Sequence, residues 1–526
     1  MQKEKKIVLY DTTLRDGNQA LGINFSLNDK LRIVEKLDSF GIHYIEGGWP
    51  NPTNSIDRDF YFEIKKLKLK SKISVFGSTK KSGTKAPNDP FLRMVAEANT
   101  SVATIFGKSW DLHVRKILCC SLSENLDMIS ESISFLKKTK DEVIFDAEHF
   151  FDGYKKNREY ALKTLEAAKE AGADSIVLCD TNGGILPSEF ISIFREVNEL
   201  VDHIPLGVHT HNDTGCAEAN SFLAVEAGAT HVQGTVNGLG ERCGNANLCT
   251  IIAGLQLKKG YKLISDDNLK KLTETSIFIS EIANVSHDIR DPYVGESAFS
   301  HKGGAHIDGV RKVKESFEHI VPELVGNKRK FILSTQAGSA TIIDKLRNLN
   351  LNLDKKDPLV KKVLKKIKQM ESEGYYFEAA GGTFKLIVKN IIKEYKEPFL
   401  VKGFRVIEEK RENGEIISEA TIKIVEKDIV VHTAAEGEGP VNALDNALRK
   451  ALVKFFPSLR EVKLEDYKVR VLDEREGTAA KVRVLIASTD GKEHWGTVGV
   501  STNIIEASWI ALIDSLKYKL MKDVQP

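Results

Sequence analysis

The feature that most constrains the fold is an alternation of two patterns over the first 250 residues of the 526-residue chain. Short runs rich in β-branched residues are separated, for the most part, by stretches with helical periodicity. There are eight such runs: Ile7–Tyr10, Tyr44–Glu46, Ile73–Phe76, Ala103–Phe106, Val143–Phe145, Ser175–Leu178, Leu206–Val208 and Val232–Val236. Strands that alternate with helices form βαβ units and a parallel sheet. Eight units predict an α/β fold of the TIM-barrel, (β/α)8 type, with an open doubly wound sheet as the alternative.

The polar residues that follow these runs favour the barrel over the open sheet. Segments rich in charged, amide and imidazole side chains come directly after the strands: Asp11–Gln19, Glu46–Trp49, Gly77–Thr79, Gly107–Trp110, Asp146–Asp152, Asp180–Gly184, His209–Asp213 and Asn237–Asn245. Active sites of TIM barrels lie at the carboxyl ends of the strands. We therefore expect the functional residues at this rim.

Three domains are predicted along the chain. Residues 1–265 form the barrel, and residues 266–400 form linker and lid subdomains in which Leu269–Val285 is helical and Arg290–Gly309 is a loop. Residues 401–526 carry an internal βββα repeat. Its predicted elements are the strands Phe404–Glu409, Ala420–Val425 and Asp428–His432 before the helix Val441–Val453, and the strands Tyr467–Leu472, Thr478–Ala487 and Gly496–Val500 before the helix Ile504–Lys517. A regulatory or dimerising module is the favoured interpretation, and a purely structural appendage is the alternative.

Charge and composition exclude several classes of protein. Lys and Arg total 76 and Asp and Glu total 74, so the net charge of +2 gives no reason to expect nucleic acid or an anionic membrane as a partner. No apolar run approaches the length that spans a bilayer. The six cysteines form no C-x-x-C pair. These features predict a soluble, cytoplasmic protein with reduced thiols.

A divalent metal site is predicted at the rim. His209 and His211 are two residues apart at a strand end, so strand alternation turns both imidazoles to the same side. Two neutral imidazoles suit a borderline divalent ion. Asp16, at the end of the first strand, is the leading third ligand, and Asn245 could donate its amide oxygen to the metal or orient a ligand. The alternative is that the two histidines only form hydrogen bonds within the rim.

Other rim residues suggest proton transfer and substrate binding. Glu148 follows the fifth strand and could act as a base or hold a catalytic histidine, although a rim salt bridge is the alternative. The glycine-rich segment around His306 suits a lid that delivers a proton-transfer group, and an exposed, solvated histidine is the alternative. Gly238 and Gly240 allow a ligand to approach the backbone closely, while turn geometry alone could also explain them.

These motifs resemble a known enzyme family. Asp11-Thr-Thr-Leu-Arg-Asp-Gly-Asn-Gln19, His209-Thr-His-Asn-Asp213 and Gly238-Leu-Gly-Glu-Arg-Cys-Gly-Asn245 together are similar to the acyl-CoA-condensing TIM-barrel metalloenzymes. This family includes the 2-isopropylmalate, homocitrate and citramalate synthases. The C-terminal repeat resembles the family's allosteric dimerisation domain. The citramalate synthase branch is the most similar, on the segments Glu46–Pro50, Phe106–His113 and Phe145–Gly153.

The resemblance implies roles for the rim residues. It implies that Asp16, His209 and His211 bind a divalent cation (Mn, Mg, Zn or Co), with Asn245 near it or on it. It further implies that Arg15 binds substrate and stabilises developing negative charge. The remaining implied roles are catalysis by Glu148 and His306, and substrate contact at Asp16, Gly238 and Gly240. The expected substrates are acetyl-CoA and pyruvate, the expected effector is isoleucine, and the expected assembly is a homodimer.

One departure from the family pattern concerns Phe317. Family members usually have tyrosine in the corresponding Tyr-Glu-His-Ile segment, whereas this chain has Phe317-Glu-His-Ile320. A phenol that could donate a hydrogen bond is therefore missing. Three alternatives to a citramalate synthase remain open at this point: a 2-isopropylmalate synthase that uses 2-oxoisovalerate, a retro-aldol lyase on the same barrel, and a sensor that binds a small acid without turnover.

Overall fold

The computed structural model describes residues 6–331 apart from 52 and 202, residue 346, residues 357–472 apart from 378, and residues 479–524. Contacts divide the chain into two compact units. The first consists of Met1–Phe299 and His319–Arg329, and the second of Ser300–Glu318 and Lys330–Pro526. The first unit thus continues past residue 265, where the sequence places the end of the barrel. The three predicted domain boundaries remain predictions.

The first unit is built on a closed parallel barrel of eight strands, as predicted. The strands are β1 Val8–Asp11, β2 Tyr44–Glu46, β3 Lys72–Ser78, β4 Val102–Lys108, β5 Glu142–Glu148, β6 Ser175–Asp180, β7 Leu206–Thr210 and β8 His231–Gly234. Strand β8 pairs in parallel with β1, from Val8 opposite His231 to Asp11 opposite Gly234, and this pairing closes the barrel. The open doubly wound sheet is therefore excluded. Val236, predicted as the end of a strand, lies instead in the short 3₁₀ turn Val236–Gly238.

The longer helices of this unit each bury apolar side chains. Leu27–Phe40, for example, buries Ile33, Val34 and Leu37. Ser26 begins this helix with a capping box, in which its hydroxyl accepts from the amide of Asp29. The α-helices of this unit are Leu27–Phe40, Ser55–Glu63, Pro90–Glu97, Asp111–His113, Leu122–Leu136, Phe150–Lys156, Arg158–Glu170, Pro187–Leu200, Ala217–Ala227, Leu248–Lys259, Asp266–Leu269 and Leu272–Ile282.

The segment around His306 differs from its prediction. The sequence predicts a loop over Arg290–Gly309, but the second unit contains strand β9 Ser300–His301 and the helix Gly304–Lys312. The loop prediction was wrong there because Ile307 and Val310, three residues apart, bury one helical face despite the glycines around them. Strand β9 pairs in parallel with β10, Lys330–Phe331.

The predicted βββα repeat is confirmed in the second unit. Two three-stranded antiparallel sheets have the orders β11-β12-β13 and β14-β15-β16, and a helix follows each sheet. The strands are β11 Leu400–Lys410, β12 Ile416–Glu426, β13 Ile429–Gly437, β14 Lys463–Val471, β15 Val482–Thr489 and β16 His494–Ser501. The helices of the C-terminal region are Pro358–Ser372, Gly381–Ile391, Pro440–Leu452 and Ile504–Val524. Thr478, predicted to begin a strand, lies outside the described residues.

No helix among the described residues combines the length and the apolar character that crossing a membrane requires. This agrees with the absence of a long apolar run in the sequence. Many apolar side chains are buried within the two units, as in the alternating positions Ala420, Ile422 and Ile424 of β12.

A buried ion-pair cluster joins the last helix to the second sheet. Asp490, in the turn between β15 and β16, accepts hydrogen bonds from Lys519 at 3.0 Å and from Lys522 at 2.8 Å. The side chain of Asp490 is 1% exposed and that of Lys519 is 6% exposed. The other carboxylate oxygen accepts from the backbone amides of Lys492 and Glu493, so both ends of the carboxylate are occupied.

We predict that Asp490→Asn loosens the last helix. Removing one partner of a buried ion pair leaves an uncompensated charge, and we expect about 2 kcal/mol of local destabilisation, because Lys519 also pairs with Asp523 and Glu461. Amide hydrogen exchange across Ile504–Val524 should then accelerate by roughly 30-fold. The matched control is Asp466→Asn, because the Asp466–Lys468 pair is exposed and should contribute under about 0.5 kcal/mol. Equal exchange rates in the two variants would contradict the prediction.

Candidate active site

Three predicted metal ligands converge at the carboxyl end of the barrel. The Nε2 atoms of His209 and His211 lie 3.3 Å apart, and Oδ2 of Asp16 lies 3.4 Å from the first and 3.9 Å from the second. All three side chains are buried, and the ligand atoms lie within 4.8 Å of one another. The strands produce this arrangement because β7 ends at Thr210, between the two histidines, and Asp16 lies in the turn that follows β1.

A hydrogen-bond chain below the histidines fixes the tautomer of His209. The amide nitrogen of Gln233 donates to Oδ1 of Asp146 at 3.1 Å, which leaves Oε1 of Gln233 to accept from Nδ1 of His209 at 2.9 Å. The proton of a neutral His209 is thereby held on Nδ1, and the lone pair of Nε2 faces Asp16. Burial, followed by the charge of Glu46, raises the pKa of Asp146 to about 7.

The glycine-rich loop after β8 closes on Asn245. Asn245 forms an isolated bridge with His211, and its Nδ2 donates to the carbonyl of Leu239 at 3.2 Å. Its Oδ1 is buried and has no hydrogen-bond partner among the described residues. A Cβ on Gly240 would come within 2.1 Å of the Asn245 amide nitrogen, so packing within the loop requires a glycine there. Substrate binding at Gly238 and Gly240 remains a prediction.

The charges around Asp16, His209 and His211 favour a cation between these three side chains. Burial alone would raise the pKa of Asp16, but Arg15 and the two imidazoles lower it well below its usual value. Burial, with His209 next, lowers the pKa of His211 to about 4, so this imidazole is neutral. Burial also opposes protonation of His209, yet the Asp16 carboxylate outweighs burial and raises the pKa of His209. A carboxylate that attracts a proton here also attracts a metal ion.

The residues present fit a divalent metal. One carboxylate and two imidazoles form a donor set that suits borderline ions such as Zn²⁺, Mn²⁺ or Co²⁺. The unpartnered, buried oxygen of Asn245, whose backbone pairs with His211, is a further available donor. The hydrogen bond from His209 to Gln233 is the kind of support that ligating histidines commonly have.

Arg15 is held in place from two sides. Its Nε donates to Oε1 of Glu46 at 2.5 Å, and its Nη1 donates to Oδ2 of Asp16 at 3.2 Å. Oε2 of Glu46 accepts from the hydroxyl of Tyr10 at 2.7 Å. The guanidinium also lies 3.9 Å from the ring centre of Phe76. Arg15 therefore remains a cation with a fixed direction, as a group that stabilises developing charge must be.

Arg15, Asp16, His209 and His211 line one cavity of about 250 Å³. Its wall also contains three aromatic rings, of which Phe76 and Phe106 are stacked with centroids 5.6 Å apart and Trp49 meets both edge-on. The complete lining is Arg15, Asp16, Gln19, Trp49, Phe76, Phe106, Asp146, Glu148, Cys179, Thr181, His209, His211, Glu241 and Arg242. The cavity is small, charged at one side and apolar at another, which suits the reacting part of a small acid.

Glu148 lines this cavity and forms an ion pair with Lys108. A salt bridge at the rim was the alternative interpretation of Glu148, and the structure shows both the salt bridge and the position in the cavity wall. The following residue, His149, has a left-handed backbone with φ of 54°, and its Nδ1 lies 3.1 Å from Oδ2 of Asp152. The side chain of Glu148 therefore faces the cavity, whereas the left-handed backbone of His149 places its imidazole beside Asp152.

His306 lies in the second unit, on the exposed side of its helix. Its imidazole stacks on the ring of Phe317, with centroids 4.2 Å apart and planes at 23°. A Cβ on Gly309 would come within 2.4 Å of the Phe317 ring, so this ring covers the helix surface at Gly309. Glu318, the next residue, forms a buried pair with His301 at 3.1 Å. Phe317 thus packs against the predicted catalytic histidine.

The structure thus brings Arg15, Asp16, Glu148, His209 and His211 together in one cavity wall. Sequence reasoning did not single out Glu46 or Gln233, which orient Arg15 and His209. Glu46 could have been noticed as a carboxylate at the last position of a strand. Gln233 gave no such signal, because it lies within a strand and its role depends on its neighbours across the barrel.

Comparisons with known proteins identify the family of the chain. Residues 6–279 match the model of the HMGL-like family, residues 293–375 match the homocitrate synthase post-HMGL domain-like model, and residues 378–520 match the LeuA allosteric (dimerisation) domain. The chain is 54% identical to an (R)-citramalate synthase of Aquifex aeolicus over 99% of its length and 98% of the relative. It is 53% identical to an (R)-citramalate synthase of Geobacter sulfurreducens, over 98% of each chain. It is 31% identical to a 2-isopropylmalate synthase of Methanocaldococcus jannaschii, over 98% of this chain and 95% of the relative.

We predict that Gln233→Leu weakens divalent-metal binding by about 10- to 100-fold, because His209 loses the partner that fixes its tautomer. Calorimetric titration of Mn²⁺ into metal-stripped protein measures this change. Gln256→Leu is the matched control, since Gln256 bonds the carbonyl of Ile264 away from the cavity. An unchanged dissociation constant in a Gln233→Leu protein with wild-type circular dichroism would contradict the prediction.

Proposed function

Because the chain belongs to the HMGL-like family, and its full-length relatives at 43–54% identity are named (R)-citramalate synthase, we propose that it condenses acetyl-CoA with pyruvate. Hydrolysis of the resulting thioester releases (R)-citramalate and CoA. The similarity along the whole chain carries this proposal, and the cavity shared by Arg15, Asp16, Glu148 and the two histidines supports it.

Asp16, His209 and His211 would hold the divalent cation, with Asn245 as a further donor. When bound, such an ion supplies Lewis-acid polarisation of a substrate keto oxygen. The protein's own contribution is to keep these donors free of protons and correctly directed. Burial keeps the imidazole of His211 neutral, and the hydrogen-bond chain through Gln233 to Asp146 directs Nε2 of His209 towards Asp16.

Arg15 supplies a fixed positive charge to the same cavity. Glu46 and Asp16 hold its guanidinium from two sides, so little reorganisation is needed when negative charge develops on the substrate. The keto oxygen of the 2-oxoacid becomes an alkoxide as the new carbon–carbon bond forms. Arg15 is placed to stabilise that charge by hydrogen bonding and by its full cationic charge.

Glu148 is proposed as the base for the acetyl group. Its carboxylate takes a proton from the methyl carbon of acetyl-CoA, and the electron pair of that C–H bond forms the enolate. The enolate carbon attacks the keto carbon of pyruvate, whose oxygen gains the electron pair and then a proton. Water next attacks the thioester carbonyl, and the C–S bond breaks to release the CoA thiol. His306 is proposed to assist one of these proton transfers.

The walls of the cavity suit a small 2-oxoacid. A volume of about 250 Å³ is shared by three aromatic rings, Trp49, Phe76 and Phe106, so a short apolar substituent can be accommodated there. Discrimination between a methyl and an isopropyl group in such a wall amounts to about 1–3 kcal/mol. The second candidate is therefore a 2-isopropylmalate synthase, because a full-length relative at 31% identity has that name. The sensor hypothesis is not favoured, since the complete set of charged side chains lines one cavity.

The C-terminal repeat is proposed to regulate the enzyme. Residues 378–520 match a domain described as allosteric and dimerising, and we infer a homodimer that binds an amino-acid effector. Isoleucine is the proposed effector, because citramalate would serve its synthesis. Allostery requires a measured coupling between two sites. A cytoplasmic location remains a prediction from composition.

We predict metal-dependent release of CoA thiol with pyruvate. Metal-stripped protein with divalent ions added back is assayed in parallel with pyruvate, 2-oxobutyrate, 2-oxoisovalerate and 2-oxoglutarate. We expect the highest kcat/KM with pyruvate, and a loss of at least about 100-fold without metal, because several kcal/mol of charge stabilisation is removed. A higher kcat/KM with 2-oxoisovalerate would instead support the second candidate function, that of a 2-isopropylmalate synthase. Absence of thiol release with every acid would contradict both.

We predict that Phe317→Tyr keeps turnover equal or increases it. The aromatic stack on His306 is retained, and the side chain is 45% exposed, so the added hydroxyl meets no buried apolar surface. Phe317→Leu removes the stack and should lower kcat, whereas Phe62→Leu, at an exposed phenylalanine of the barrel surface, should leave it unchanged. A loss of about tenfold, or 1.4 kcal/mol, in Phe317→Tyr would show that the site is built around the phenyl ring.

A further inference from the structure

Lys108 contacts the proposed base directly. It is the last residue of β4, and Glu148 is the last residue of β5, so the two are partners in the parallel ladder and point to the same end of the barrel. Nζ of Lys108 forms an ion pair with Oε2 of Glu148. The side chains are 17% and 21% exposed. Oε2 is buried and has no directed hydrogen bond among the described residues, so the contact is an ion pair by charge and proximity.

The backbone of both residues is fixed, which keeps the ion pair in one place. The amide of Ser109 donates to the carbonyl of Glu148 at 3.1 Å. The side chain of Asn125, itself buried, donates to the carbonyl of Lys108 at 2.9 Å. Nζ of Lys108 also lies 5.3 Å from the ring centre of Phe106, which belongs to the aromatic wall. Lys108 thus stands at the border of the cavity.

A carboxylate base needs a charged partner that keeps it in position when the substrate arrives. Glu148 has about four-fifths of its surface removed from water, and a carboxylate in such a position is stabilised by a cation in contact with it. Arg15 is committed to Glu46 and Asp16. Lys108 is the cation that contacts Glu148.

We propose that Lys108 is a positioning residue that holds Glu148 ionised and directed into the cavity, and that it acts on the reaction only through Glu148. This inference rests on the proposed function, in which Glu148 accepts the methyl proton of acetyl-CoA. It assigns to Lys108 the task of keeping Glu148 in position for that proton transfer. The bonds formed and broken in the step do not change, since the proton of Lys108 stays on Nζ.

Other ionisable groups surround the pair. His113 and His149 lie next to it, with ring centroids 4.3 Å apart, and Asp152 is hydrogen-bonded to His149. The charges of Lys108 and Glu148 act on His113, and the charge of Glu148 acts on Cys179. Asp146 precedes Glu148 on the same strand. The experiment must therefore observe the ionisation of Glu148 itself.

The first measurement is the pH dependence of kcat/KM for wild type, Lys108→Met and Lys108→Arg. We expect Lys108→Met to lose about tenfold or more at neutral pH, and its acidic limb to move up by about one pH unit or more, with partial recovery in alkaline buffer. Lys108→Arg should stay within about threefold of wild type, because it restores the cation. Lys155→Met is the matched control, since Lys155 pairs with Glu189 on the outer helices and should leave the profile unchanged.

The second measurement does not depend on turnover. Protein labelled with ¹³C at glutamate carboxyls is titrated by NMR, and Glu148→Gln identifies the Glu148 signal. The proposal expects an ionised Glu148 at neutral pH in wild type and a titration displaced to higher pH in Lys108→Met.

An undisplaced titration of Glu148 would overturn the proposal, and so would a uniform fall in kcat at every pH. A raised KM for acetyl-CoA with unchanged kcat would overturn it as well, by assigning Lys108 to substrate binding. A wild-type protein that releases no CoA, yet shows the displaced titration, would disprove the proposed function and retain the ion-pair role.

Discussion

The rest of the site depends on the ion pairs and close contacts that surround the buried carboxylate of Asp16. That carboxylate lies in the turn after the first strand with almost no contact with water, and a carboxylate in that position is stable only if cations or strong donors surround it. Arg15 and the imidazoles of His209 and His211 fulfil this requirement. The same arrangement places a carboxylate oxygen beside two imidazole nitrogens, a donor set that suits a divalent cation.

Supporting residues follow from that constraint, because each charged group near Asp16 needs a fixed position. Glu46 holds Arg15, Tyr10 holds Glu46, and Gln233 sets the tautomer of His209. These partners come from the first, second and eighth strands, so the closure of the barrel between β8 and β1 is a condition for the site. The Lys108–Glu148 pair repeats the same principle on β4 and β5: a buried carboxylate is paired with a cation from the adjacent strand. Asp16 and Glu148 thus each have a cationic partner in the wall of one cavity.

The second unit adds features that the barrel does not have. Its two βββα repeats bury their sheets against helices, and its short helix presents His306 on the ring of Phe317. The resemblance drawn from the sequence places a phenol at this position, where this chain has the phenyl ring of Phe317. The ring still packs against the imidazole, and we infer that this packing contributes to the orientation of His306.

The sequence by itself determined the barrel, the repeat and most of the charged residues of the cavity. Periodicity reports which faces are buried, and the position after a strand reports which side chains reach the rim, so Asp16, Glu148, His209 and His211 were accessible from pattern alone. The helix around His306 was not, because glycines obscured its short apolar face. Only the tertiary structure showed the partners Glu46, Gln233 and Lys108, and the aromatic wall of Trp49, Phe76 and Phe106. Those roles depend on distances between strands far apart in the chain, and a one-dimensional pattern contains no such distances.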